Sequence, residues 1–492
     1  MNRQARMTVL TMALLCVFTI CAGAAVAALL PPRLALFQMP QISGEGLAPA
    51  GHGLVSAQGP QAGRPGLVTA AGVSARIAGL VGGGGLGPDV GALVADLTTG
   101  KVLFSQNAAV GFTPASTTKL ATAVAAIDTL GADAKFTTSV TLPAGQAGTP
   151  GSGGQGRTIV LVGGGDPVLA AGPYPAGSYP QPATLTGLAA RTAAALRARR
   201  IATVRLRYDA SLFGGPTLAP GWPAFGAADN YVTTGNMTII TGLEVDQGRL
   251  TASGKPEDAD DTENFRPRSM TPARQAAGAF AAFLRKDGIT VHGAPAATTA
   301  DGGTTLAAVH SPPLTAIVQQ MLSESNNVIA ETLARHVAIA TGRPATFGGA
   351  ADAVMATDRG LGIDGIHIYD GSGLSPLDEI TPRALVGLVR LAAEAGPGPL
   401  RAVITGMPVA GFSGTLGPGS VFGPFGSAAL GTVRAKTGNL TGVATMAGIA
   451  YTASGQLLAF AFMANKIPAR LGLQPESALA GLATALAGCG CR

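Results

Sequence analysis

The stretch TPASTTKLATA, residues 113–123, sets Ser116 three residues before Lys119 inside an apolar run. Lysine is scarce in this chain, making up seven of its 33 basic residues. A position needing only positive charge would be expected to carry arginine here. A lysine points to use of the amine itself, whose pKa burial can lower while a guanidinium stays charged. Residues three apart on a helix share a face, so hydroxyl and amine would meet one turn apart. Ser116 would stand near the helix N-terminus, where the dipole favours negative charge developing on its oxygen. A serine hydroxyl is a weak nucleophile until a base takes its proton, and a neutral lysine can be that base. No other serine in the chain has a lysine at this spacing.

Two further motifs follow in order. Ser325-Asn326-Asn327 falls at a helix-like junction, and Lys436-Thr437-Gly438, with Asn439 behind it, closes a strand-like run. An S-x-N triplet alone says little: Ser105-Gln106-Asn107 also fits but precedes Ser116. Taken in sequence order, each motif has beneath it the element it needs. Competing schemes are poorly represented. There is no G-x-S-x-G elbow and no H-E-x-x-H, and the five histidines are scattered, with His336 reading as a structural residue inside a helix. VGGGGLG at 81–87 contains a G-x-G-x-x-G spacing, but Pro88 stands where a nucleotide-binding helix should open. No metal site and no cofactor is expected.

The elements that must position these residues are legible in outline. GALVADL, TTG and KVLFS (91–105) read as a hairpin, and a helix-compatible run follows Pro114 from Ser116 to Leu130. FTTSVTL (136–142) reads as a strand. Short strands, turns and one good helix (184–199) then alternate to about 305, with an acidic turn-rich segment at 256–264. Helical patterns return at 311–340 and 385–395. The chain closes with three strand-like runs, GTVRAKTG, VATMAGIAYT and LLAFAFMANK, and a helix at 475–487. Helices at both ends of an antiparallel sheet, with an insertion between, make an α+β architecture. The expected division is a catalytic domain in two parts, 88–140 and 306–488, around an inserted smaller domain at 141–305.

Composition bounds the surroundings. The 492 residues suffice for two or three domains. The net charge of +6 comes from scattered arginines, clustered only in RARR at 197–200, which argues for a mildly basic surface and against nucleic-acid binding. MNRQAR followed by an uncharged run from Met7 to Leu30 marks export. AVAA at 25–28 would suit signal cleavage, while the length of the run would also suit an uncleaved anchor. Residues 1–30 are therefore a signal peptide or a membrane anchor, and the remainder is extracytoplasmic. Residues 31–87, rich in Gly, Ala and Pro, read as a linker. The terminal CGC (Cys489, Cys491) reads as a frayed tail, with a reactive or intermolecular thiol as the alternative.

The order S-x-x-K, S-x-N, K-T-G is that of penicillin-binding proteins and β-lactamases. The chain resembles the low-molecular-mass class C penicillin-binding proteins, the D-alanyl-D-alanine carboxypeptidase/endopeptidase family. LVGGGDPVL (161–169), SESNNVIAE (323–331), YDGSGLSP (369–376) and MPVAGFSGTLG (407–417) extend the likeness, which covers about 90 to 480. It implies a penicillin-binding-protein/β-lactamase-like transpeptidase fold, an antiparallel sheet flanked by helices with an inserted domain. It also implies that Ser116 attacks a D-Ala-D-Ala terminus and that Lys119 accepts its proton. Ser325 would pass that proton to the leaving amine while Asn327 holds Lys119 and the substrate backbone. Lys436 and Thr437 would bind the terminal carboxylate, Gly438 would let substrate lie against the strand, and the N–H groups of Ser116 and Asn439 would form the oxyanion hole. The implied partners are peptidoglycan stem peptides and, as covalent inhibitors, β-lactams, with membrane contact through the N-terminal segment if it is not cleaved. After Gly-Thr-Leu this chain runs GPGSVFGPFGS where the family usually has an arginine, which bears on the cleft rim. A serine β-lactamase is the nearest alternative, but its class A form needs a Leu-Asn pair that is absent here. A non-catalytic peptidoglycan-binding envelope protein is the alternative from another class, and the intact motif set argues against it.

Overall fold

The computed structural model describes residues 68–144, 156–250, 266–394, 398–423, 428–472 and 474–491. The export segment at 1–30, residues 31–67 of the linker and the acidic segment at 256–264 lie outside them. Among the described residues no helix is long and apolar enough to cross a membrane.

The chain begins with helix α1 (Ala70–Val81), strands β1 (Asp89–Asp96) and β2 (Val102–Gln106), and helix α2 (Lys119–Leu130). Next come β3 (Thr137–Leu142), β4 (Arg157–Val162), α3 (Leu185–Ala198), β5 (Thr203–Asp209) and α4 (Pro272–Lys286). Short strands β6 (Thr290–Val291) and β7 (Ala296–Ala297) precede β8 (Thr304–His310). Helices α5 (Leu314–Ser323), α6 (Asn327–Ala340) and α7 (Phe347–Gly360) follow, then short β9 (Ile366–His367) and β10 (Glu379–Ile380). Helices α8 (Pro382–Glu394) and α9 (Arg401–Gly406) lead to β11 (Val433–Leu440), β12 (Val443–Tyr451), β13 (Leu457–Asn465) and α10 (Gln474–Ala487).

The main sheet has the order β11-β12-β13-β1-β2, antiparallel throughout, with β11 at one edge. Both faces are covered, which explains its nearly continuous apolar strands. On β13, Leu458, Phe460, Phe462 and Ala464 enter the core beneath α1 and α10, while Ala459, Ala461 and Met463 enter the core beneath α2 and its neighbours. This is the two-residue alternation of a pleated strand buried on both sides. Helix α2 is the centre of the second core. Every residue from Leu120 to Ile127 is buried, so a helix apolar all round, built from alanines with a few larger side chains, fits among α6, α7 and α8. The fold is α+β with helices flanking an antiparallel sheet, as the strand and helix patterns indicate.

The inserted region carries its own sheet, β6-β5-β4-β3-β8, with β7 also on β5. β3 pairs antiparallel with β8, so residues 137–142 and 304–310 both belong to this second sheet. β4, β5 and β6 run parallel, linked by α3 and α4, which cover their apolar face. Helix α4 was not apparent beside the acidic segment before it. Its signals are Pro272 at the first turn and buried Ala276, Ala277, Phe280, Ala281 and Leu284 on one face. The insertion is tied to the catalytic helices at His336, whose Nε2 lies 2.9 Å from Gly165 O and whose ring stacks 3.9 Å from that of Phe136. Burial lowers its pKa to about 4. A side chain at Gly164 would overlap the carbonyl of Thr137, which accounts for the glycine run at this crossing.

Two expectations are corrected. Part of the segment read as a linker is helical: in α1, Val73, Ile77 and Val81 are buried against α10, an i, i+4, i+8 spacing masked by the surrounding glycine and alanine. The terminal cysteines do not fray. Cys489 is buried and disulfide-bonded to Cys491, whose carbonyl accepts a hydrogen bond from Thr69 N at 3.0 Å. Ile77→Ala should therefore cost about 2–5 kcal/mol, the range for truncating a buried Ile. Urea unfolding would read this as a lowered midpoint, and an unchanged midpoint would detach α1 from the core.

Candidate active site

Ser116 lies in a 3-10 turn, Ala115–Thr118, and Lys119 is the first residue of α2. The continuous helix expected from Ser116 is thus a 3-10 turn running into an α-helix. Side chains three apart eclipse on a 3-10 turn, which stacks the amine over the hydroxyl. Lys119 Nζ is 2.9 Å from Ser116 Oγ, 2.7 Å from Asn327 Oδ1 and 2.8 Å from the carbonyl of Ser372. These three acceptors account for every proton of an ammonium. Once neutral, the amine can keep donating to Asn327 and Ser372 while its lone pair faces the serine. The arrangement thus orients the base as well as holding it.

Burial pushes the Lys119 ammonium down to about 7, against smaller opposing pulls from Asp370 and Glu331. A lysine near neutrality is both present as base and able to return the proton. Lys436, fully buried on β11, is lowered well below its usual range by burial and then by the charge of Lys119. Its Nζ donates to Thr437 O at 2.7 Å. Of the pair Lys436 and Thr437, which the resemblance implies binds the terminal carboxylate, Lys436 is buried and Thr437 lines the cleft.

The cleft, about 340 Å³, is lined by Ser116, Ser325, Asn327, Thr437, Gly438 and Asn439 among others. The three motifs, far apart in sequence, face one space. Asn326 caps α6 by accepting from Ile329 N, so Asn327 opens that helix and its amide spans from Lys119 to Asn236 O at 3.0 Å. Ser325 and Ala115 hold left-handed backbone, at φ 57° and 46°. Such conformations are unfavourable for side-chain-bearing residues and collect at functional sites. Among the described residues, the Ser325 hydroxyl makes no hydrogen bond to Ser116 or Lys119. Gly438 has a reason beyond substrate access. A Cβ there would stand 2.7 Å from both Pro114 O and Ser116 N, so only glycine lets β11 approach the turn carrying Ser116.

Several cleft residues were not foreseen. Asn236 and Gln247 arrive from the insertion, and Thr415, from the Gly-Thr-Leu segment, lies 3.3 Å from Thr437 by their hydroxyl oxygens. Only the resemblance of residues 407–417 hinted at the last. Among the described residues, no group of three or more His, Cys, Asp or Glu side chains is arranged to hold a metal ion.

Comparison with known proteins gives a consistent picture. The profile of the D-Ala-D-Ala carboxypeptidase 3 (S13) family matches residues 73–265 and 242–486. Carboxypeptidase DacB of Mycolicibacterium smegmatis is 38% identical over 401 residues, covering 81% of this chain and 80% of that protein. A D-alanyl-D-alanine carboxypeptidase of an Actinomadura species is 29% identical over 455 residues, covering 79% and 80%. Among solved structures, penicillin binding protein 4 of Haemophilus influenzae superposes with a TM-score of 0.61 at 22% identity, covering 84% of this chain and 98% of that one.

The unfolded chain keeps a lysine protonated to about 10.5, and the folded chain keeps Lys119 so only to about 7. Between those values the unfolded state binds more protons, so stability rises with pH. Burial of Lys119 thus weighs fully on the fold below pH 7 and not at all above 10.5. Compared with Lys119→Met, the wild type should gain stability as pH is raised from 7 to 10 in urea titrations. A constant difference would mean that the amine stays charged on folding.

Proposed function

Because the chain belongs to the D-Ala-D-Ala carboxypeptidase 3 (S13) family, a family of serine peptidases, we propose that it trims peptidoglycan stem peptides through an acyl-enzyme on Ser116. The observation that carries this reading is the 2.9 Å contact of Ser116 Oγ with a buried Lys119 whose other acceptors are fixed. Ser116 Oγ attacks the carbonyl carbon of the penultimate D-Ala, and its proton passes to Lys119 Nζ. The tetrahedral oxyanion is held by the N–H groups of Ser116 and Asn439, each such donor being worth about 3–4 kcal/mol. Lys119 returns the proton, with Ser325 as relay, to the departing amine of the terminal D-Ala as the C–N bond breaks. Water then attacks the ester, its proton passing through Lys119 to Ser116 Oγ as the C–O bond breaks, which releases the shortened peptide and restores the serine.

Substrate binding follows from the edge position of β11. Its first residues are covered by the 408–410 segment, through Ala435 N to Pro408 O and Ala410 N to Val433 O. From Thr437 to Asn439 it borders the cleft, where an extended peptide can add along the edge as a further strand. Thr437 and Thr415 would take the terminal carboxylate, with Lys436 buried behind them. Cleavage of a cross-link ending in the same D-Ala carbonyl would use the same groups, so endopeptidase action is a natural extension. A β-lactam would acylate Ser116 by the same route. Such work is done outside the cytoplasm, reached by export or anchoring through the apolar segment near the N-terminus.

Incubation with a fluorescent penicillin should label the protein on Ser116, mapped by peptide mass spectrometry, and the protein should release D-Ala from a stem pentapeptide. Labelling should vanish in Ser116→Ala and fall strongly in Lys119→Ala. A folded wild type that takes no label and releases no D-Ala would sink the reading, and rapid turnover of the drug would point to a β-lactamase. Gly438→Ala, by displacing the Ser116 turn, should slow labelling on the order of 10²-fold, the cost of misplacing a reacting group by about 1 Å. Labelling at the wild-type rate would mean that the strand and turn can separate without cost.

A further inference from the structure

The segment Tyr369–Pro376, YDGSGLSP, carries none of the three motifs, yet it supplies one of the acceptors that hold the base. Asp370 is fully buried at its start. Its Oδ1 accepts from Ser372 N at 3.0 Å and Gly373 N at 2.6 Å. Its Oδ2 accepts from Ser375 N and from the indole Nε1–H of Trp222, both at 2.7 Å. Four donors and two oxygens make a fully engaged carboxylate. Glu331 of α6 reinforces the loop by accepting from Gly371 N and Ser372 N.

The N–H of Gly373 and the carbonyl of Ser372 belong to one peptide group. Its N–H end lies on Asp370 and its carbonyl end on Lys119 Nζ at 2.8 Å. A planar trans peptide points these two ends in opposite directions, so it bridges carboxylate and amine, and each bond polarises the other. We propose that Asp370 is the positioning residue of the base, acting through the Ser372–Gly373 peptide to aim and electrostatically tune Lys119, with Trp222 of the insertion holding Asp370 in place. The insertion is then part of the machinery: Tyr231 OH also donates to Leu374 O and Ser375 Oγ to Pro220 O, closing the strap over this loop.

The charged and titratable groups around this bridge come from several elements. Lys436 faces Lys119 from β11, and Glu331, backed by Arg335, faces it from α6. Asp378 and Tyr231 face Asp370 itself. Burial, with Asp370 next, pushes both Glu331 and Asp378 upward. Asp370 is the first of the two carboxylates whose pull works against desolvation at Lys119.

This proposal rests on Lys119 being the base for Ser116. Acylation of the full chain by a fluorescent penicillin, timed from pH 5 to 9, tests it. The wild-type rate should fall on the acid side with a midpoint near 7. Asp370→Asn removes the charge that raises Lys119, so the midpoint should move about one unit to lower pH while the plateau drops roughly tenfold or more, as for other misoriented groups. A plateau that falls with an unmoved midpoint would reduce Asp370 to a structural role, and an unchanged profile would remove it altogether. If Asp370→Asn does not fold, Trp222→Phe decides. It keeps the carboxylate but removes one donor, and should slow acylation several-fold at a thermal midpoint near that of the wild type; a wild-type rate overturns the proposal. Absence of label in the wild type would instead strike at the functional reading.

Discussion

Everything in this molecule that bears on chemistry depends on keeping one lysine amine out of water. An ammonium buried without compensation is costly by several kcal/mol, and here burial drives the Lys119 pKa down by more than three units, from 10.5 to about 7. The surroundings permit this because the amine has three acceptors, two of them from elements packed against α2. The apolar helix that follows excludes solvent, and the 3-10 turn before it stacks the serine on the amine. Any relaxation that admits water would return the lysine to its ordinary charge.

The second constraint is close approach. β11 must pass near enough to the Ser116 turn for its backbone to share the cleft, and the space at Gly438 leaves room for no side chain. Thr445 on β12 reinforces the contact, donating to Pro114 O at 2.7 Å. Because β11 is an edge strand, the groups that border the cleft are ones that the sheet itself leaves open. Sheet topology thus does part of the recognition.

The insertion has two roles. Its own sheet and the helices α3 and α4 form an independent core. Residues 222–236, after β5, instead reach the candidate site, where Trp222, Tyr231 and Asn236 touch the loop and helix that hold Lys119. An insertion that only carried a binding surface would have no need of a buried indole bonded to a carboxylate of the other domain.

Ser116, Lys119, Asn327 and the KTG strand were legible in the sequence because their chemistry is local: a fixed spacing on one turn, a cap before a helix, a tripeptide at a strand end. The hairpin, the three closing strands and helix α10 were legible for a similar reason, since periodicity reports which face of an element is apolar. Where glycine and alanine blurred that signal, as in α1, the helix was hidden. What only the tertiary structure decided is who meets whom. Trp222 and Asp370 are 148 positions apart, and Lys119 and Ser372 are 253 apart. No spacing rule links such residues, because their contact is the product of packing between whole elements. The buried position of Lys436 was equally invisible, since a strand's sequence does not say which side of it another layer will cover. Residue types and spacing thus determined the chemistry this chain could do. The packing of α2 against α6 and the 369–376 loop, and of the Ser116 turn against β11, decided the protonation state and orientation in which Lys119 is held, because desolvation and hydrogen-bond geometry exist only once the chain has closed around it.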